Sequence, residues 1–87
     1  MPRKHFMSIH MLHSEPIDTI EVTCVDKDGQ IEVLFEQAVE SGFNDAVLLL
    51  DATVVSNEGY NDEYMDYFKY FVVHYVNIIR SKLKEEA

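Results

Sequence analysis

Tryptophan is absent from this chain of 87 residues, and cysteine, glycine, proline and basic side chains are all scarce. Cys24 is the only cysteine, which excludes an intramolecular disulfide and a cysteine-based zinc site and suits a reducing compartment. The three glycines lie too far apart to build a loop that cradles phosphate groups. The N-terminal segment has no sustained apolar run, so no signal peptide is predicted. We therefore expect one soluble, cytoplasmic domain spanning residues 1–87, with neither a metal nor another cofactor.

Positive charge is scarcest in the middle of the chain. Residues 5–66 contain fourteen aspartates and glutamates but only one basic residue, Lys27, and the whole chain carries a formal net charge of −9. Direct binding to nucleic acid is not expected, because phosphate contacts need a basic surface. Attraction to a protein with a basic surface is the natural converse. Simple solubility is the alternative explanation of so acidic a composition.

The clearest local pattern is a β-hairpin over residues 19–36. Apolar and polar side chains alternate on both sides of Asp26-Lys27-Asp28-Gly29. A loop of four residues pairs Cys24 with Ile31 and keeps the apolar side chains on one face, whereas a loop of three would mix the two faces. The predicted inward face consists of Ile20, Val22, Cys24, Ile31, Val33 and Phe35.

The other face of this hairpin supplies the candidate partner-binding residues. Alternate residues of a strand lie about 6.7 Å apart on one face, so the outward glutamates form a spaced acidic array with Leu34 as its apolar member. A solvated sheet face is the simpler interpretation, and a docking surface is the functional one. The residues assigned to the docking surface are Glu21, Glu32, Leu34, Glu36, Glu40 and Asp45.

The remaining segments before the last third are less regular. Residues 5–13 alternate weakly and suggest a strand, and residues 37–41 suggest a short helical turn that ends at Gly42. Residues 45–55 fit either a helix capped by Asn44 or a buried strand, because periodicity does not separate short apolar runs. We expect the helix.

Residues 61–87 are predicted to form one long helix. Asn61 is a favourable N-cap, acidic residues follow it, and basic residues gather at the C-terminal end, as the helix dipole favours. One apolar stripe should cover the hairpin, and it consists of Tyr64, Phe68, Val72, Tyr75, Ile79 and Leu83. Apolar side chains nevertheless occupy most of the circumference, which is typical of a helix buried on more than one side. The surplus flank, assigned to an oligomer interface, contains Tyr67, Tyr70, Phe71 and His74.

The sequence offers few candidates for metal binding or catalysis. The segment around Asp26 imitates a calcium-binding EF-hand loop, but Cys24 and Phe35 stand where the first and last ligands belong. His10 and His13 are three residues apart, so on a strand they would point to opposite faces. Asp51, as a buried carboxylate, or His74 could serve a small enzyme, but no nucleophile accompanies either of them. We therefore do not expect an enzyme.

The sequence thus predicts an α+β domain. Its antiparallel sheet has about three strands, including the hairpin, and the long C-terminal helix and one shorter helix pack on one face. The short, acidic and cysteine-poor composition is similar to that of anti-CRISPR proteins, anti-restriction DNA mimics and nuclease-immunity proteins, a likeness of composition without shared motifs. The leading hypothesis is an inhibitor or adaptor that docks on a basic surface of a partner such as a nucleic-acid-handling enzyme. The alternative is a homo-oligomeric structural or regulatory module, for example a homodimer, joined through the aromatic flank.

Overall fold

A computed structural model describes residues 4–10, 19–39 and 42–85. These residues form an antiparallel β-sheet with two helices packed on one face, which confirms the predicted α+β class. The described part contains five strands rather than about three. The elements are β1 (Lys4–His10), β2 (Thr19–Lys27), β3 (Gln30–Val39), β4 (Gly42–Leu49), β5 (Val54–Glu58), α1 (Asp62–His74) and α2 (Val76–Glu85).

The strands form a simple meander, in the order β1-β2-β3-β4-β5. The hairpin of β2 and β3 has the predicted faces but not the predicted register. Cys24 pairs with Val33, and the loop contains only Asp28 and Gly29, both with positive φ as a type I′ turn requires. The shift amounts to two residues, so each side chain keeps its face. Alternation therefore identified the faces correctly and could not distinguish loops of two and four residues.

The segment predicted as a helix over residues 45–55 is a strand, a turn and the start of another strand. β4 ends at Leu49, and the backbone N–H of Ala52 donates to the Leu49 carbonyl in the turn. As a strand, this segment completes the hydrogen bonds of β3 and aligns Ala46 with Phe35. The helical turn predicted for residues 37–41 is also wrong, because Gln37–Val39 belong to β3, while residues 40 and 41 lie outside the described part.

The N-terminal strand is present as β1, although residues 11–13 of the predicted strand lie outside the described part. Its pairing with β2 shifts between His5 and Met7, which marks a β-bulge. Because of this extra residue, both Phe6 and Met7 pack against the core on the helix side of the sheet. Phe6 reaches the helices, with its ring centroid 6.1 Å from that of Phe71.

A short connection between β5 and α1 places the helices over the sheet. Gly59 has a φ of 103°, a backbone conformation that favours glycine. A Cβ at this position would also collide with the Asn44 side chain, which is a second reason for glycine here. Tyr60 follows, and its hydroxyl donates to the Phe35 carbonyl at 3.2 Å. Asn61 then caps α1, its side chain accepting from the Tyr64 amide.

The C-terminal helix is divided at Tyr75, which has a φ of −100° and a ψ of 14°. The backbone hydrogen bonds from Tyr75 to Phe71 and from Ile79 to Tyr75 bridge the break, so the two helices follow one another closely. The predicted stripe faces the sheet: Phe68, Val72 and Ile79 are fully buried, and the other members are partly buried against the core. Phe35 lies at the centre, with its ring centroid 4.1 Å from that of Phe68.

Candidate partner-binding face

The sheet surface that faces away from the helices is the candidate site, and we call it the outer face. Side chains alternate between the two faces of a strand, so residues paired across strands share a face. Ile20, Val22 and Phe35 point into the core, which assigns their neighbours in the chain to the outer face. No element among the described residues packs over it.

Four carboxylates lie in one line across the outer face. Glu21 on β2 is directly opposite Glu36 on β3, Glu36 is opposite Asp45 on β4, and Asp45 is opposite Glu58 on β5. We call these four residues the acidic row. Side chains that stand directly opposite have Cβ atoms about 4.5–5.5 Å apart, and like charges in such pairs are destabilising. The row is therefore a concentrated strip of negative charge that the fold tolerates at a cost in stability.

The β1 end of the acidic row carries polar partners. Ser8 pairs with Glu21 across the strands, and its hydroxyl donates to a Glu21 carboxylate oxygen at 2.7 Å. The same oxygen lies 2.7 Å from Nε2 of His5. Glu21 is therefore held in a fixed orientation by two neighbours from β1.

The rest of the acidic row lacks such partners. Within residues 4–10, 19–39 and 42–85, no ion pair or side-chain hydrogen bond involves Glu36, Asp45 or Glu58. The charges of Asp45 and Glu36 nevertheless act on Tyr60. The pKa of Tyr60 is raised, first by burial of its hydroxyl and then by nearby negative charge, with Asp45 the largest of these contributors.

A second line of residues runs beside the acidic row, two positions further along each strand. Its central members are apolar: Leu34 on β3 stands opposite Val47 on β4. It is flanked by small hydroxyl residues, because Thr23 pairs with Leu34 and Ser56 pairs with Val47. We call Thr23, Leu34, Val47 and Ser56 the neighbouring row. Leu34 faces outward as predicted, yet only 8% of its surface is exposed, so it offers less apolar contact than expected.

One atom of the neighbouring row is unusual. The Thr23 hydroxyl oxygen is buried and has no hydrogen-bond partner, the only such side-chain atom in the part of the chain that the structure describes. A buried polar group without a partner costs about 1–3 kcal/mol. The outer face therefore has one unmet hydrogen bond immediately beside its strip of negative charge.

Two further predicted members of the docking surface differ from the acidic row. Glu32 lies on the outer face opposite Val25 and Leu49, but it already has a cation, with the Lys27 Nζ 3.3 Å from a carboxylate oxygen. Glu40 lies outside the described residues. Of the six predicted residues, Glu21, Glu36 and Asp45 are thus the ones that the sheet aligns.

Glu58 belongs to the acidic row and Val47 to the neighbouring row, although neither residue was predicted from the sequence to lie on the docking surface. β5 was not predicted, and all five of its residues are exposed, so it shows none of the hydrophobic alternation that marks a strand. Val47 stands in an unbroken apolar run, which concealed its direction. Residues 43–49 contain only one acid, Asp45, so the sequence held no alternation from which the direction of Val47 could be predicted.

The predicted oligomer interface is only partly exposed. Phe71 is a correction, because it is 1% exposed and packs against Phe35 and Phe6 in the core. Tyr67 is 37% exposed, Tyr70 is 62% exposed, and the His74 ring is exposed and stacks on that of Tyr70 with centroids 5.3 Å apart. Val73 on α1 and Ile78 near the start of α2 are also exposed, both at 55%. We call Tyr67, Tyr70, Val73, His74 and Ile78 the exposed flank.

Asp51 and Cys24 both lie outside the acidic row. Asp51 is exposed rather than buried, and its pKa is lowered by hydrogen bonds from Thr53, whose amide donates at 3.0 Å. It therefore acts as the acceptor of a turn. Cys24 points into the core as predicted, and burial raises its pKa to about 11, so its thiol is protonated and unreactive at neutral pH.

The described residues contain neither a metal site nor a membrane-spanning helix. No three or more histidine, cysteine, aspartate or glutamate side chains among them converge to hold a metal ion. In the same part of the chain, no helix combines the length and the apolar character needed to cross a membrane. Comparison with protein-family models, with curated proteins and with solved structures gave no match to this chain.

Proposed function

We propose that the outer face is a docking surface for a protein partner with a basic surface, and that the protein acts as an inhibitor or adaptor. The observation that carries this proposal is the in-register alignment of Glu21, Glu36, Asp45 and Glu58 across four strands. Like charges in this position lower stability, so the arrangement is more easily understood if a bound partner supplies the missing cations.

The charge of the whole chain supports the same conclusion. A net charge of −9 attracts basic proteins over distances of about a Debye length, roughly 8–10 Å at physiological salt, and raises the rate of encounter. Enzymes that handle nucleic acid are a suitable partner class, because their basic surfaces bind phosphate groups. A protein that occupies such a surface prevents nucleic acid from binding there, which is inhibition.

A pair of variants with the same change in charge tests the proposal. The row variant, Glu36→Gln with Asp45→Asn, removes the two central charges of the acidic row. The helix variant, Glu63→Gln with Asp66→Asn, removes two exposed charges from α1 and leaves the outer face intact. Affinity capture with mass spectrometry, using the wild-type protein and both variants as bait, identifies candidate partners that only the row variant loses.

The affinity of such a partner is then measured across ionic strength. We expect the row variant to bind at least about tenfold more weakly than the helix variant, and the wild-type affinity to fall as salt rises. A dissociation constant that is independent of salt contradicts the proposal. Equal losses in the two variants contradict it as well, because they would show that only net charge matters.

A second candidate function is self-association through the exposed flank. The specific observation is the run of large exposed side chains at Tyr70, Val73 and Ile78 beside the stripe that packs against the sheet. Light scattering at high protein concentration tests it, with Tyr70→Ser and Val73→Ser as the disrupting pair. This candidate predicts a dimer that the substitutions dissociate, and a strict monomer in the wild type removes it.

A further inference from the structure

The geometry of the outer face points to the shape of the partner as well as its charge. We infer that the partner presents an amphipathic basic α-helix that lies across strands β2 to β5. This inference rests on the proposed function, since it concerns the same face. Its basic side chains would meet the acidic row, and its apolar side chains would meet Val47 and the small exposed part of Leu34.

Spacing along the acidic row favours a helix. Neighbouring strands are about 4.8 Å apart, so the four carboxylates of β2 to β5 span roughly 14–15 Å. Basic residues placed once per helical turn are about 5.4 Å apart and span roughly 16 Å over four positions. The flexible stems of lysine and arginine absorb the small difference. One helix can therefore contact all four acids at once.

An extended partner fits less well. Side chains on one side of a strand recur about every 6.7 Å, so four of them span roughly 20 Å, which is longer than the acidic row. An extended segment that instead adds to β5 runs parallel to the strands and meets the row only at Glu58. Neither arrangement neutralises both Glu36 and Asp45.

The neighbouring row supplies an independent reason for an amphipathic partner. Leu34 and Val47 lie about 6.7 Å from the acidic row, within the width of one helix, which is about 10 Å. A helix with basic residues on one side of its contact surface and apolar residues on the other matches the two rows.

A second copy of this chain is a poorer occupant. The lysines and arginines of its C-terminal segment are Lys69 on α1 and Arg80, Lys82 and Lys84 on α2. Neither helix therefore presents four basic residues one turn apart. The net charge of −9 on each copy also opposes association.

Synthetic peptides of about 18 residues test the inference on the full-length protein. A striped peptide carries four lysines one turn apart beside a line of leucines. A scrambled peptide has the same composition with the lysines spread around the helix, and a third peptide is the striped one with a central proline that breaks it. Affinity is measured at low salt, and the binding site is mapped from backbone amide chemical shifts.

We expect the striped peptide to bind the outer face at least about tenfold more tightly than the other two peptides. The row variant should lose this preference, and the helix variant should keep it. Equal affinities of all three peptides at the outer face overturn the helix inference and leave docking of a basic partner intact. If no basic peptide binds the outer face, the proposed function fails as well. If the amides of the outer face and of α1 shift when the protein alone is concentrated, the occupant is a second copy and the inference is wrong.

Discussion

At the scale of single residues, Cys24 links burial to a measurable dependence on pH. Its thiol is 1% exposed, and burial raises its pKa from an ordinary value of 9.0 to about 11. The unfolded thiol ionises first as pH rises, which favours the unfolded state. The protonated thiol therefore contributes its full stabilisation below about pH 8.5. The free energy of unfolding then falls progressively as the pH rises towards 11.

A comparison of the wild type with Cys24→Ala isolates this contribution. The variant should be less stable at pH 8, because it loses apolar packing in the core. By pH 11 the difference in the free energy of unfolding between the two proteins should narrow by about 2 kcal/mol. The reason is that only the wild type has a thiol that keeps its proton in the folded state and ionises in the unfolded state. Urea unfolding at both pH values measures the gap, and all other titrating groups are common to the two proteins. A gap that does not change with pH contradicts the burial of the thiol.

At the scale of elements, neighbouring aromatic residues of α1 have opposite roles. Phe71 is 1% exposed and contacts Phe35 and Phe6, whereas Tyr70 is 62% exposed. Replacing Phe71 with alanine should lower the free energy of unfolding by about 3–5 kcal/mol. Tyr70→Ala, on the same helix and with a similar change in helix propensity, should change it by less than about 1 kcal/mol. Urea unfolding of the two variants checks the contrast, and equal losses would place both rings in the core.

The same helix shows where sequence reasoning stops. The stripe from Tyr64 to Leu83 follows helical periodicity, so its direction could be predicted. Phe71 could not be separated from Tyr70, because aromatic and aliphatic residues surround nearly the whole helix and leave no polar boundary between core and surface. That boundary is set by where Phe6 and Phe35 lie in the sheet, which is a long-range property.

In the sheet, alternation was informative where one face is apolar and the other polar, as in the hairpin of β2 and β3. In β4 the outer face is itself apolar at Val47 and Leu49, so the alternation disappears from the sequence. A continuous apolar run fits a helix as well as a strand, and the wrong choice followed. Without β4 and β5, the alignment of Asp45 and Glu58 with Glu36 could not be foreseen, although three of the four acids had been placed on a docking surface.

At the scale of the whole molecule, the acidic row opposes stability. Each cross-strand pair of like charge lowers stability by roughly 0.2–1 kcal/mol. Three such pairs occur between Glu21 and Glu58. A strip of this kind on a protein whose net charge is already −9 has no evident benefit for folding. Binding surfaces commonly retain features that reduce stability, because their groups must remain available to a ligand.

This conflict between stability and binding gives a prediction that separates the proposal from a structural role. The row variant, Glu36→Gln with Asp45→Asn, should raise the free energy of unfolding by about 0.5–2 kcal/mol at low salt, since it relieves every like-charge pair of the row. The gain should shrink as salt screens the charges. The helix variant, Glu63→Gln with Asp66→Asn, should instead be unchanged or slightly less stable, because Glu63 interacts favourably with the N-terminus of α1. Urea unfolding at two salt concentrations measures both effects.

If the row variant were destabilised, the carboxylates would be structural groups, and their alignment would no longer support a docking surface. A row variant that is more stable and yet binds its basic partner more weakly is the result that the proposed function requires.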